Sequence, residues 1–146
     1  MALAERKASV KWEGDLVKGS GVVHFASSGI GDFPVTWAAR TEAPGGKTSP
    51  EELIAGAHAA CFSMSLAHGL AQGGNQPDRL DVEAVCSLDR IDGKPRITSM
   101  LLSVRGKVPG IDQEGFEKAA QAARDGCPVS NALRNNVTLY VEATLE

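Results

Sequence analysis

The chain has 146 residues, enough for one domain, 1–146, that buries a real core without covalent staples. Its 15 basic and 18 acidic side chains leave a net charge of -3, so no chain-wide positive field exists for a phosphate backbone, and a nucleic-acid partner is not expected. The first seven residues have no apolar stretch behind their charges, and the most apolar run, residues 53–66, is broken by Gly56, His58 and two serines; neither a secretory signal nor a membrane span is expected, and the location expected is cytoplasmic.

Residues 8–12, 21–25 and 35–40 alternate in short stretches between Gly- and Ser-containing breaks, which predicts three strands. A loop over 43–48, rich in Pro and Gly, leads to the strongest helix start in the chain. Ser49 can cap, Pro50 suits the first helical position and Glu52 can close a capping box. From there Leu53, Ile54, Ala57, Cys61, Met64 and Ala67 or His68 recur at helical spacing until Gly73-Gly74-Asn75 ends the run, and this long helix is expected to be largely buried. Its small residues let other backbone segments approach closely. Two alternating segments between 80 and 108 flank Asp92-Gly93, a hairpin signal. Phe116, Ala119, Ala120 and Ala123 then give a second helix stopped by Gly126, Pro128–Leu133 a short third one, and 137–145 a final strand. The order β-β-β-α-β-β-α-α-β predicts an α+β fold with a largely antiparallel sheet and a long central helix.

The three cysteines, Cys61, Cys86 and Cys127, are odd in number and lack the spacing of a disulfide framework or zinc site, and no Cys-x-x-Cys pair exists. No metal is expected. Cys127 stands at a predicted helix start, where free amides favour a thiolate, although it is also an acceptable small residue at a helix junction. Cys61 lies in the apolar middle of the long helix, where a thiol is inert unless a cation reaches it from elsewhere. Cys86 shares a strand face with Val82, Ala84 and Leu88 and reads as a core thiol. His58 precedes Cys61 by three residues, so a Cys-His pair is geometrically conceivable, while His24 is remote in sequence. Arg40, at the end of a predicted strand, and Glu51, in the first helical turn, are adequately explained by solvation and by the helix dipole.

Several stretches together resemble the OsmC/Ohr family, the osmotically inducible protein C and organic hydroperoxide resistance group, and more specifically its OsmC branch. They are Trp12-Glu13-Gly14-Asp15, Pro50-Glu51-Glu52-Leu53-Ile54, Ala59-Ala60-Cys61-Phe62-Ser63-Met64, Ser87-Leu88-Asp89, Val108-Pro109-Gly110-Ile111-Asp112 and Gly126-Cys127-Pro128-Val129-Ser130. The resemblance implies a thiol peroxidase acting on organic hydroperoxides and less well on hydrogen peroxide. Cys61 is then the peroxidatic thiol and Cys127 the resolving thiol, with Arg40 and Glu51 organising the thiolate. It further implies no bound cofactor, an external dithiol reductant such as a lipoyl group, and an intertwined homodimer with its active sites at the interface. Glu51 and Cys61 on one continuous helix would lie roughly 15 Å apart along its axis, so a shared site requires either a broken helix or a Glu51 from a neighbouring chain, and the second is expected. Two other readings stand beside it, a Cys61-His58 thiol hydrolase and a non-catalytic thiol redox sensor. Phe33, Trp37, Phe62 and Met64 are candidate apolar contacts for an alkyl group, or core residues.

Overall fold

In the computed structural model, which describes residues 1–146, the chain runs through β1 (Ser9–Glu13), β2 (Ser20–His24), β3 (Asp32–Val35), α1 (Trp37–Thr41), α2 (Pro50–Gln72), β4 (Arg79–Ile91), β5 (Lys94–Lys107), α3 (Gln113–Gly126), α4 (Pro128–Leu133) and β6 (Thr138–Leu145). The residues group into two compact units, Met1–Leu53 and Ile54–Glu146. Each holds one three-stranded sheet, so the α+β class stands while the single sheet expected from sequence is in fact two.

In the first unit β1, β2 and β3 form an antiparallel meander. Gly21 of β2 is paired with both Trp12 and Val35, and a Cβ there would meet Trp12 Cε3 at 2.7 Å, so glycine lets the indole lie across the strand. The third strand stops at Val35 and does not run on to Arg40. Thr36 keeps an extended backbone while its hydroxyl accepts from the Ala39 N–H at 3.1 Å, a side-chain cap that turns residues 37–41 into α1. Arg40 therefore sits on a short helix rather than at a strand end.

At the start of α2 the Ser49 hydroxyl accepts from the Glu52 N–H at 3.1 Å. The other half of the expected capping box is replaced, because the Glu52 carboxylate accepts from the Thr48 hydroxyl at 2.5 Å. The helix then continues unbroken for 23 residues. By length and composition alone α2 is apolar enough to cross a membrane, against the expectation that its glycine, histidine and serines would prevent it. Those residues do not interrupt it, since Ser63 Oγ donates back to the Ala59 carbonyl and His58 is bonded inside the fold. Its core stripe is His58, Phe62, Leu66 and Leu70, one turn apart, and Ala57, Met64 and His68 of the expected stripe are exposed. A helix that is apolar nearly all round gives no phase from sequence, and packing chose the stripe with the larger side chains.

The second unit is built on the β4-β5 hairpin, closed by Asp92 (φ 50°) and Gly93 (φ 77°), the left-handed pair of a two-residue turn. β6 adds to β5 in parallel, so this sheet is mixed. Phe62, Leu66 and Leu70 meet Met100, Leu102 and Val104 of β5 and Phe116, Ala120 and Ala123 of α3 in one core. Cys86 packs against it beside Val82 and Ala84, the structural place expected of it. Asp112 caps α3 by accepting from the Gly115 N–H at 2.8 Å. Cys127 closes α3 and opens α4, with Pro128 at the first position of the new helix.

Candidate active site

The four residues singled out from sequence fall into two pairs. In the first unit Arg40 and Glu51 form a two-pronged ion pair: Arg40 Nε donates to Oε1 at 2.9 Å and Oε2 at 3.1 Å, and Nη2 donates to Oε1 at 2.7 Å. Glu51 is buried, at 7% exposure, so the guanidinium answers a charge that has little water of its own. The guanidinium carbon also lies 5.8 Å from the Trp37 ring centroid. Beside the pair is an apolar cavity of about 310 Å³ lined by Val10, Trp12, Val35, Trp37, Arg40 and Leu53. Of the four expected apolar contacts only Trp37 lines it. Phe33 packs edge-on against Phe25, Phe62 is wholly buried in the other unit's core and Met64 is exposed.

In the second unit the two thiols named from sequence meet. Cys61, half-buried on α2, and Cys127, fully buried between α3 and α4, are both reduced and lie within hydrogen-bonding reach of each other. Burial pushes the Cys61 thiol above its ordinary range, only partly opposed by the Val129 amide, and its contact with Cys127 pushes it further. Cys127 moves the other way. Burial works against its anion, but the Ser130 hydroxyl, the Ser130 amide, the Cys61 thiol and the Val129 amide all direct hydrogen bonds at its sulfur and hold it below the usual thiol range.

The Ser130 N–H lies 3.4 Å and the Ser130 hydroxyl 3.5 Å from Cys127 Sγ, and both donate to it. The same hydroxyl is 2.7 Å from His58 Nε2. His58 is thus engaged with Ser130 rather than with Cys61, and its Nδ1 has no hydrogen-bond partner. Burial holds its pKa below the ordinary 6.5. Ser130 was passed over in the sequence, yet a signal exists. With Pro128 at the first helical position, Cys127 occupies the cap position, and the residue three further on is the one whose N–H a cap receives. The second hydrogen bond of Ser130 spans 72 positions and had no local signal.

Residues 43–142 match the family model described as OsmC-like protein. The peroxiredoxin OsmC of Escherichia coli K12 is 42% identical over 134 residues, 92% of this chain and 93% of that protein. The organic hydroperoxide resistance protein OhrB of Bacillus subtilis 168 is 34% identical over 129 residues, 86% of this chain and 91% of its own. The crystal structure of the Bacillus subtilis OhrB superposes with a TM-score of 0.79 at 29% identity, covering 98% of this chain and all of that one. With matches of this extent in sequence and fold, the chain belongs to the OsmC/Ohr family.

Proposed function

We propose that this protein is a cysteine-based peroxidase that reduces organic hydroperoxides to alcohols, and hydrogen peroxide less well, with Cys61 as the attacking and Cys127 as the resolving thiol. The observation that carries this reading is the meeting of two free thiols from distant parts of the chain within hydrogen-bonding reach of each other. The relatives named for peroxide chemistry support it, and their match along nearly the whole chain supports reading 1–146 as one functional domain.

Peroxide cleavage needs a thiolate, and Cys61 by itself is held protonated. Arg40 supplies the missing cation. Glu51 occupies Nε and Nη2, which leaves Nη1 to face a thiolate and the distal peroxide oxygen. Ten positions on the unbroken α2 are about 15 Å of rise, so Glu51 and the arginine it holds would serve the Cys61 of a second chain in an intertwined homodimer. The cavity beside Arg40 would take the alkyl group of the substrate. Cys61 S⁻ attacks the peroxide, the O–O bond breaks, the alcohol leaves with a proton, and a sulfenic acid remains. Cys127 displaces hydroxide from that sulfur to give the disulfide and water, and an external dithiol such as a lipoyl group returns both thiols by exchange. Thiols that must be returned to the reduced state fit a reducing compartment, the cytoplasm.

A Cys61-His58 hydrolase is disfavoured by the engagement of His58 with Ser130. The deciding experiment is peroxide consumption by single-cysteine variants. Cys61→Ser should consume none, whereas Cys127→Ser should consume one equivalent and retain a trapped sulfenic acid. A full first turnover by Cys61→Ser would remove the assignment, and failure of any dithiol to sustain multiple turnovers of the unmodified protein would leave a redox sensor.

A further inference from the structure

Ser130 Oγ has a single proton, which can go to Cys127 Sγ at 3.5 Å or to His58 Nε2 at 2.7 Å; consider it given to the sulfur. Its lone pairs are then what face His58 Nε2 at 2.7 Å, so the histidine must donate from that nitrogen. The tautomer this requires leaves His58 Nδ1 as a bare lone pair, which matches the one buried side-chain atom without a partner. The opposite tautomer would strand an N–H there, the costlier orphan. His58 stands on α2 three residues before Cys61, so one helix delivers the first thiol and, a turn earlier, the group that orients the partner of the second.

We propose that Ser130 and His58 are positioning residues for the resolving thiol: a donor chain running from His58 Nε2–H to Ser130 Oγ, and from Ser130 Oγ–H to Cys127 Sγ, which presents that sulfur as the nucleophile toward oxidised Cys61. The proposal rests on the peroxidase reading above. In the step it serves, Cys127 S⁻ attacks the sulfenic sulfur, the S–S bond forms and the Cys61 S–O bond breaks. The departing hydroxide takes up the proton that Cys127 released on ionising, so disulfide and water are the products. Lowering a thiol's pKa toward ambient pH raises its thiolate fraction faster than it lowers its nucleophilicity, which is why an aimed donor speeds the step. The titratable groups facing Cys127 are Cys61 directly and His58 through Ser130, both from α2, while α4 contributes the uncharged Ser130 hydroxyl and the Val129 and Ser130 amides. Burial keeps His58 neutral, so it donates without adding a charge.

The test is a stopped-flow measurement of sulfenic acid decay to disulfide, after one equivalent of cumene hydroperoxide without dithiol, across pH. With Ser130→Ala the decay at neutral pH should slow roughly ten-fold or more, and its pH profile should move up by about one to two units, the weight of a hydrogen bond to a charged group. Ser130→Thr, which keeps a hydroxyl, should restore most of the rate. His58→Gln, whose amide can donate, should stay within a few-fold, and His58→Leu should behave as Ser130→Ala. The idea is overturned if a folded Ser130→Ala or His58→Leu protein keeps the unmodified rate and profile. Should those two variants not fold, equal rates in His58→Gln and His58→Met, which is close to Gln in length and has no donor, would overturn it instead. If the unmodified protein consumes no peroxide, the peroxidase reading is what fails. The donor chain is then read separately from ultraviolet thiolate titration of Cys127 in a Cys61→Ser, Cys86→Ala background, where Ser130→Ala should raise the midpoint.

Discussion

An arginine whose fork is spent on one buried carboxylate has little freedom left in its head group, and Arg40 gives Nε and Nη2 to Glu51 in this way. Lysine at this position keeps the charge but not the planar fork. Arg40→Lys should therefore slow the peroxide-driven oxidation of Cys61 by about a hundred-fold, the scale set by losing one aimed donor, while far less of the fold's stability is lost. Stopped-flow oxidation at several peroxide concentrations checks it, and a rate within two-fold of the unmodified protein would take Arg40 out of the site. His58 makes a different kind of prediction. Its folded pKa lies below the ordinary 6.5, so the unfolded chain binds a proton before the folded one does as the medium is acidified. Its contribution to stability is complete above about pH 6.5 and is lost as pH falls toward the folded value, at up to about 1.4 kcal/mol for each unit traversed. Urea unfolding of the reduced protein at pH 7.5 and below should show this slope, and His58→Gln, which does not titrate, should flatten it.

At the scale of the elements, the placement of Cys127 depends on how α3 lies on the sheet. Gly106 of β5 makes that contact possible, because a Cβ there would meet Phe116 Cζ at 2.4 Å and Cε1 at 2.7 Å, and the Phe116 ring is wholly buried and cannot swing away. Gly106→Ala should cost about 1–3 kcal/mol in urea unfolding, as overpacking does, and should slow disulfide formation because Cys127 closes the displaced helix. An unchanged unfolding midpoint would show that the ring has room. The elements most legible in the sequence were those with local punctuation: the Ser49-Pro50 start of α2, the Asp92-Gly93 turn and the Pro128 start of α4. α1 is hidden in the sequence because Val35-Thr36-Trp37 alternates like a strand and no Gly or Pro breaks the chain before Arg40, so only the Thr36 hydroxyl marks the helix. The stripe of α2 was misphased because alanines, glycine and cysteine surround it with small apolar surface. Of the candidate residues, Cys127 carried a local signal at its helix start, and Cys61, Arg40 and Glu51 came through the resemblance, whereas the Ser130-His58 bond joins residues far apart in sequence and becomes visible only when α4 is laid against α2.

For the whole molecule, the proposed mechanism makes a demand on assembly because α2 is continuous. Ten positions of α2, which runs from Pro50 to Gln72, separate Glu51 from Cys61, about 15 Å of helical rise. On the proposed mechanism two chains would exchange these residues, and a two-fold dimer would do so twice. That arrangement has a stoichiometric consequence. Cys61→Ser and Arg40→Met chains, each inactive alone, should regain activity when unfolded together and refolded as a mixture. In a mixed dimer the intact Cys61 of one chain meets the intact Arg40 of the other, while the second site is doubly defective. Random reassortment makes half the dimers mixed and half of their sites whole, so recovery should reach about a quarter of the unmodified activity. Active sites built within single chains would recover nothing at any mixing ratio, because no chain in the mixture carries both residues. Light scattering on the same sample separates the remaining case, since a protein with the mass of one chain would have no partner to lend it an arginine.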